Sequence, residues 1–292
     1  DDGNPGVHSG RQEAAESVEY GTPAPEGTNF ALPSGGTLMT GRLIPAAATL
    51  SFVLCWEAFC RLQEIPHFIL PAPSRIAILL LTEAPLLLKH AAVTTFEIAL
   101  GIVFSLAAAL PLSIAMFFSP LLERALSPLL IASQAIPVFA VAPLLVVWFG
   151  YGTGSKVIMA ALIIFFPVTV TLLQGFKSCD PGYQRLFFVM GADFRKTLRF
   201  LYWPWALPYF FAGLRVAVSV AAIGAVIGEW VGSLEGLGYL MMQANARLRV
   251  DMVFACVVLL SCIGLLLWGG VSRLEARYVR WNQDTKEIQT NK

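Results

Sequence analysis

Charge is what this chain has least of. Asp, Glu, Lys and Arg together make up 13% of its 292 residues, against about 25% in an ordinary soluble domain. Hydrophobic residues make up 57%. One soluble core cannot bury that much apolar surface, so the surplus faces lipid. The formal net charge of +1 gives no footing for a nucleic-acid partner. Only three histidines occur, and neither a His cluster nor a nucleophile constellation is present, which argues against a membrane enzyme. The five cysteines, Cys55, Cys60, Cys179, Cys256 and Cys262, include no CxxC pair and sit mostly in apolar runs. There a thiol acts as a small hydrophobe, and no metal site is expected. Residues 1–42 lack the basic segment and apolar run of a secretory leader. They are rich in Gly, Pro, Ser, Thr and Glu and read as a disordered tail. A nucleotide site is missing too. In GYGTGSKV, residues 150–157, Lys156 follows Ser155 where a phosphate loop has Gly, and Val157 stands where Ser or Thr would hold magnesium. This segment reads as a glycine-rich turn whose only cation is Lys156.

What is present is a succession of long apolar runs. Residues 43–60 form a first span, bounded by Arg42 and Arg61. Residues 76–88 are too short and interrupted to cross, with Glu83 and Pro85 inside them, and suit an interfacial helix. Residues 91–118 make a second span. Residues 121–148 make a third, broken at Ile136-Pro137 and Ala142-Pro143, and such breaks are tolerated where they pack in protein or line a cavity. Residues 156–173, 206–230 and 251–270 supply three more. The expected fold is therefore an all-α integral membrane protein of about six transmembrane helices over residues 43–281, with a polar tail at 282–292. Lys177, Arg185, Arg195, Lys196 and Arg199 cluster before the fifth span, and Arg273, Arg277 and Arg280 follow the sixth. The positive-inside rule places both regions in the cytoplasm, and counting back places the N-terminus there too.

Ionisable groups inside spans are functional candidates by default. Glu97 and Glu229 are the leading ones for a substrate pathway, with Ser133 and Gln134 just before the Ile136 break. Plain helix-packing roles are the alternative for each. Glu57 and Arg215 read as paired or headgroup residues, Trp148 and Trp230 as interface aromatics, and His90 as an interfacial residue with no metal spacing around it.

Residues 185–204, RLFFVMGADFRKTLRFLYWP, are too charged to lie across hydrocarbon, where each central charge costs about 2.5–3.5 kcal/mol. The stretch either lies on the membrane surface or docks by its apolar face on a soluble partner. Gly191, nine intervening residues and then Leu201-Tyr202-Trp203-Pro204 resemble the cytoplasmic loop of bacterial ABC importer permeases. That loop runs Glu-Ala-Ala, a gap, Gly, nine residues, Ile-x-Leu-Pro. Arg185-Leu186-Phe187 stand where Glu-Ala-Ala would, and Trp203 replaces the Leu. Residues 207–241, PLLVVWFGYG at 143–152, LPAPS at 70–74 and RYVRW at 277–281 are similar to the nitrate, sulfonate, taurine and thiamine-precursor branch. FFPVTVTLLQGFKSCDP at 165–181 leans towards the thiamine-precursor members.

The resemblance implies a type I ABC importer permease architecture in the bacterial cytoplasmic (inner) membrane. The implied coupling loop covers about residues 177–204, with Gly191, Asp193, Arg195, Lys196, Leu201 and Pro204 in the coupling element. The implied partners are two copies of an ATP-binding subunit, a second permease copy (most simply a homodimer), an extracytoplasmic substrate-binding protein and membrane lipid. This chain then binds no cofactor, and ATP and magnesium belong to the partner ATPase. The expected solute is a pyrimidine thiamine precursor, with a sulfonate, taurine or nitrate-like anion second. A secondary transporter working without an ATPase is the alternative of another class. It calls for internal repeats and charges near the middle of broken helices, and no convincing repeat is evident.

Overall fold

A computed structural model describes residues 37–281. Among them the regular structure is helical throughout, without strands. The helices are α1 (Thr37–Leu62), α2 (Pro73–Thr82), α3 (Ala84–Phe118), α4 (Pro120–Ala135), α5 (Val138–Phe149), α6 (Thr153–Lys177), α7 (Pro181–Val189), α8 (Phe194–Thr197), α9 (Trp203–Gly232), α10 (Leu237–Ala246) and α11 (Val250–Tyr278), with a π-helical turn at Leu198–Tyr202 joining α8 to α9. The tail readings for residues 1–36 and 282–292 lie outside the described residues, while residues 37–42, read as the end of the disordered tail, are the first turns of α1. Among the described residues, 51–281 form one compact unit, and the first half of α1 belongs to the other.

Four helical stretches are long and apolar enough to cross a membrane: α3, α6, α11 and the continuous run Phe194–Gly232. A fifth arises if α4 and α5, bent by 106° at their break, count as one span. Pro137, which closes the break, has no N–H, and Ile136 before it is extended. The first expected span corresponds to α1, whose opening residues carry side chains outside those described.

Two sequence expectations are corrected. Residues 76–88 are not one interfacial helix. The chain breaks at Glu83, α2 stops, and α3 starts with Pro85 in its first turn, where a missing N–H costs no helical bond. Lys156 is not a loop cation. Gly150 and Gly152 make the turn, α6 begins at Thr153, and Lys156 is buried near the start of that helix.

The bundle is organised on α6, which packs on α3 and α9. A Cβ added at Gly101 of α3 would lie 2.7 Å from Ala160 Cβ, and one at Gly224 of α9 would lie 3.2 Å from Ala160 Cα. The three backbones thus approach through small residues. That is how helices gain contact in lipid, where no hydrophobic force drives them together. Ile98, Ile164, Val168, Leu214, Ala217 and Ala221 form the core around this contact. Phe96 and Phe104 point outward from α3, as Leu265 and Leu266 do from α11. A second cluster, including Ile76, Leu87, Leu237, Leu240, Met252 and Cys256, joins α2, α10 and α11 to the start of α3.

Polar links tie the shorter pieces down. Glu57 accepts hydrogen bonds from Ser74 N at 2.9 Å and Ser74 Oγ at 2.7 Å, and pairs with Arg61. Buried Asp251 accepts from Met252 N at 2.9 Å and faces Arg75 at 3.5 Å. Arg215 pairs with Glu275 of α11, which agrees with the paired role read for it in the sequence.

Candidate functional site

The loop between α6 and α9 is built from local rules. Asp180 caps α7 by accepting from Gly182 N, with Pro181 in the first turn. The helix ends in a Schellman motif. Gly191 N donates to Phe188 O and Ala192 N to Phe187 O, both at 3.0 Å, while Gly191 takes φ +69°. Only glycine adopts that conformation without strain. Asp193 then caps α8, accepting from Lys196 N at 2.9 Å. Leu201 is buried and Pro204 opens α9. Phe194, Tyr202, Phe117, Phe118 and Phe176 form a ring cluster, with Phe118 and Phe194 centroids 4.5 Å apart. It fastens the loop to the ends of α3 and α6.

What the loop does not use is turned outward. Phe188, Val189 and Met190 are 84%, 82% and 72% exposed. Arg195, Lys196 and Arg199 are exposed beside them. Arg185 and Leu186, at the position of the missing Glu-Ala-Ala, are exposed on α7. Near the loop's start, burial pushes the Cys179 thiol up from its usual range.

Besides a pocket of about 230 Å³ lined by His90, Gln243, Arg247 and Arg249, two cavities open along the helices. Ser133 and Gln134 line one of about 370 Å³ together with Ile136, Met159, Ile163 and Phe166. Both side chains also donate to Leu130 O, at 2.8 and 3.5 Å. The other, of about 720 Å³, lies against α9 and α11. Trp230, Phe139 and Trp268 line it, with the Trp230 and Phe139 rings 6.4 Å apart. Trp148 is exposed near the end of α5.

Glu97 and Glu229 line neither cavity. They are 1% and 0% exposed and belong to a polar network at the α10 end of the bundle. Thr94 Oγ1 donates to Glu229 Oε1 at 2.6 Å and accepts from Leu237 N at 2.8 Å. Gly238 N donates to Glu229 Oε2 at 2.5 Å. Gly236 N donates to His90 Nδ1 at 3.0 Å. Lys156 Nζ lies 3.8 Å from Glu97 Oε1, while Glu97 Oε2 is buried without a partner. His90 is therefore buried inside protein rather than interfacial, a further correction to the sequence reading. The sequence singles out the two glutamates as ionisable groups in spans, but nothing local to them points to His90, Thr94 or Lys156. At the surface, Lys89 Nζ donates to Glu235 at 2.8 Å and holds that carboxyl below its usual range.

No group of three or more His, Cys, Asp or Glu among the described residues is placed to hold a metal. The arrangement is one of spans, an exposed apolar and basic loop and cavities, which suits solute transport.

Comparison with known proteins gives the same result. Residues 101–280 match the family model described as binding-protein-dependent transport system inner membrane component. The chain is 44% identical over 227 residues to a probable ABC transporter permease protein of Haemophilus influenzae, covering 78% of this chain and 93% of that one. It is 39% identical over 243 residues to the formylaminopyrimidine transport permease protein of Halalkalibacterium halodurans, covering 82% and 96%. It is 31% identical over 246 residues to the taurine transport system permease protein of Escherichia coli, covering 82% and 90%. The chain belongs to the family of binding-protein-dependent transport system inner membrane components, as a permease of the ABC importer kind for small solutes.

Proposed function

We propose that the chain forms the membrane pathway of an ATP-driven importer in the bacterial cytoplasmic membrane, with both termini and the α6–α9 loop on the cytoplasmic side. Two copies of an ATP-binding subunit dock there and carry the ATP and magnesium. A second copy of this chain completes the pathway, and an extracytoplasmic binding protein delivers the solute at the α10 end. The observation that carries this reading is mechanical. The helical run from Phe194 continues without a break into the membrane to Gly232. The same loop exposes an apolar strip between cations. An ATPase groove that takes up this strip moves α9 directly. Gly191 and Asp193 set the loop's shape, Arg195 and Lys196 offer charge, and Leu201 and Pro204 anchor it to the bundle.

The solute we assign is a pyrimidine thiamine precursor passing Ser133 and Gln134. The higher identity to the formylaminopyrimidine permease than to the taurine permease supports this. The linings support it too. Neither of these two cavities carries a charged side chain, and a desolvated sulfonate or nitrate needs a cation or a set of donors; Arg247 and Arg249 line only the smaller pocket at the α10 end. An amide and a hydroxyl suit the edge of a neutral ring.

The coupling role is tested by Arg195→Glu with Lys196→Glu. Membrane insertion stays intact, while co-purification of the ATPase and uptake both fall. Unchanged uptake with both charges reversed sinks the coupling assignment. The solute is tested on the partner binding protein, where a formylaminopyrimidine should bind and taurine should not.

A further inference from the structure

We propose that the network around Glu229 is a latch: it fixes α10 to α3 and α9, and its release opens the pathway at that end during transport. This rests on the importer reading. The first backbone donors of a helix normally go to its own cap or to water. α10 has no side-chain cap of its own. Instead Gly236, Leu237 and Gly238 donate to His90, Thr94 and Glu229, side chains of α3 and α9. α10 cannot leave these helices without breaking the three bonds together, since each bare N–H inside the bundle is costly.

The contact is close as well as polar. A Cβ at Gly238 would lie 2.9 Å from Glu229 Oε2, and Gly236, at φ +112°, has the Glu229 carboxyl against the space a Cβ would fill. Only glycines let the turn seat on the carboxylate. The Glu97 carboxyl is buried beside that of Glu229. Movement here reaches the larger cavity directly, and Ile227 in its lining packs on Met159 and Val141 of the cavity that holds Ser133 and Gln134. Trp230, next to Glu229, and Met241 of α10 both line the larger cavity. Short connections on both sides, residues 233–236 and 247–249, let α10 tilt as a unit. Thr94 is the pivot, holding Glu229 with its hydrogen and Leu237 with its oxygen.

The test uses the complete complex in proteoliposomes, with ATPase subunits and binding protein, comparing wild type, Thr94→Val and Thr94→Ser. Two quantities are read: ATP hydrolysed per solute imported, and amide exchange at residues 236–240. Loss of one such bond corresponds to a change of about tenfold in local opening. Thr94→Val loses both of its bonds and should therefore raise exchange there by about ten- to a hundredfold and raise the ATP used per solute several-fold. Thr94→Ser should restore both. Faster exchange with unchanged ATP per solute makes the network a structural support and overturns the proposal, as does no change in either. If Thr94→Val does not assemble, His90→Leu, which removes only the Gly236 link, carries the same readouts. Failure of both to assemble, with Thr94→Ser assembling, also overturns it. The importer reading fails differently: wild type would then show no ATPase stimulation by the binding protein.

Discussion

The two ends of the bundle handle polar groups in opposite ways. At the α10 end, Glu229, Thr94, His90 and Lys156 are buried and face groups of the same chain. At the loop end, Arg195, Lys196 and Arg199 stand in solvent, and the adjoining apolar residues 188–190 are uncovered. One end turns its polar groups onto one another and the other leaves them in solvent. The difference is also one of sequence distance. The loop is shaped by caps and turns a few residues apart, and only its ring cluster reaches distant helices. Three of the network's hydrogen bonds join positions 135 to 146 residues apart, and only the Gly238–Glu229 bond spans as few as nine.

The largest expected effect breaks the buried end. Lys156→Met leaves the Glu97 carboxyl without its cation in a site that excludes water. Removing one member of a buried pair costs about 3–5 kcal/mol. Thermal unfolding of the purified chain in detergent should show a large drop in midpoint. Lys156→Met combined with Glu97→Gln should regain most of it, because the unmatched charge is then gone. A single variant as stable as wild type removes the ion pair from the account.

A smaller effect is expected at the loop. Gly191→Ala forces a Cβ into a left-handed conformation, a penalty of about 1–2 kcal/mol. Asp193→Ala removes a cap worth about 1 kcal/mol. Nothing lies within 4 Å of a Cβ at Gly191, so the cost is conformational and local. Proteolysis across residues 187–196 should speed up in both variants while the unfolding midpoint moves less than with Lys156→Met. An equal drop in midpoint would mean that the loop is part of the cooperative core, and the contrast between the ends would fail.

This asymmetry explains what was legible beforehand. The long apolar runs, the break at Ile136-Pro137 and the Gly191-to-Pro204 spacing are local patterns, and each appears in the fold as a helix, a 106° bend or a capped turn. Glu97 and Glu229 stand out because ionisable residues are rare in spans. Their surroundings do not, since the groups that meet them come from α3, α6, α9 and the start of α10. Lys156 misleads because it follows a glycine turn. Helix α6 starts three residues earlier than the apolar run suggests, and the side chain enters the bundle instead of the loop. His90 misleads in the same way, since α3 begins at Ala84, before the charged and aromatic boundary that seems to start the span.

The smallest effect sharpens the comparison at its edge. Lys89 and Glu235 flank His90 and Gly236, so their pair extends the buried junction into water. Lys89 donates to the Glu235 carboxyl and lowers its proton affinity in the folded chain. A carboxyl with a depressed folded pKa contributes stability above the unfolded carboxylate range and loses it as pH falls through the folded value. Both side chains are well exposed, so solvent and salt screen the pair. Glu235→Gln should therefore lower the unfolding midpoint only slightly at neutral pH, less than either loop variant. The gap from wild type should close as pH falls below about 4 and shrink in high salt. A gap that persists at low pH and high salt would place Glu235 in the buried latch rather than at its solvent edge.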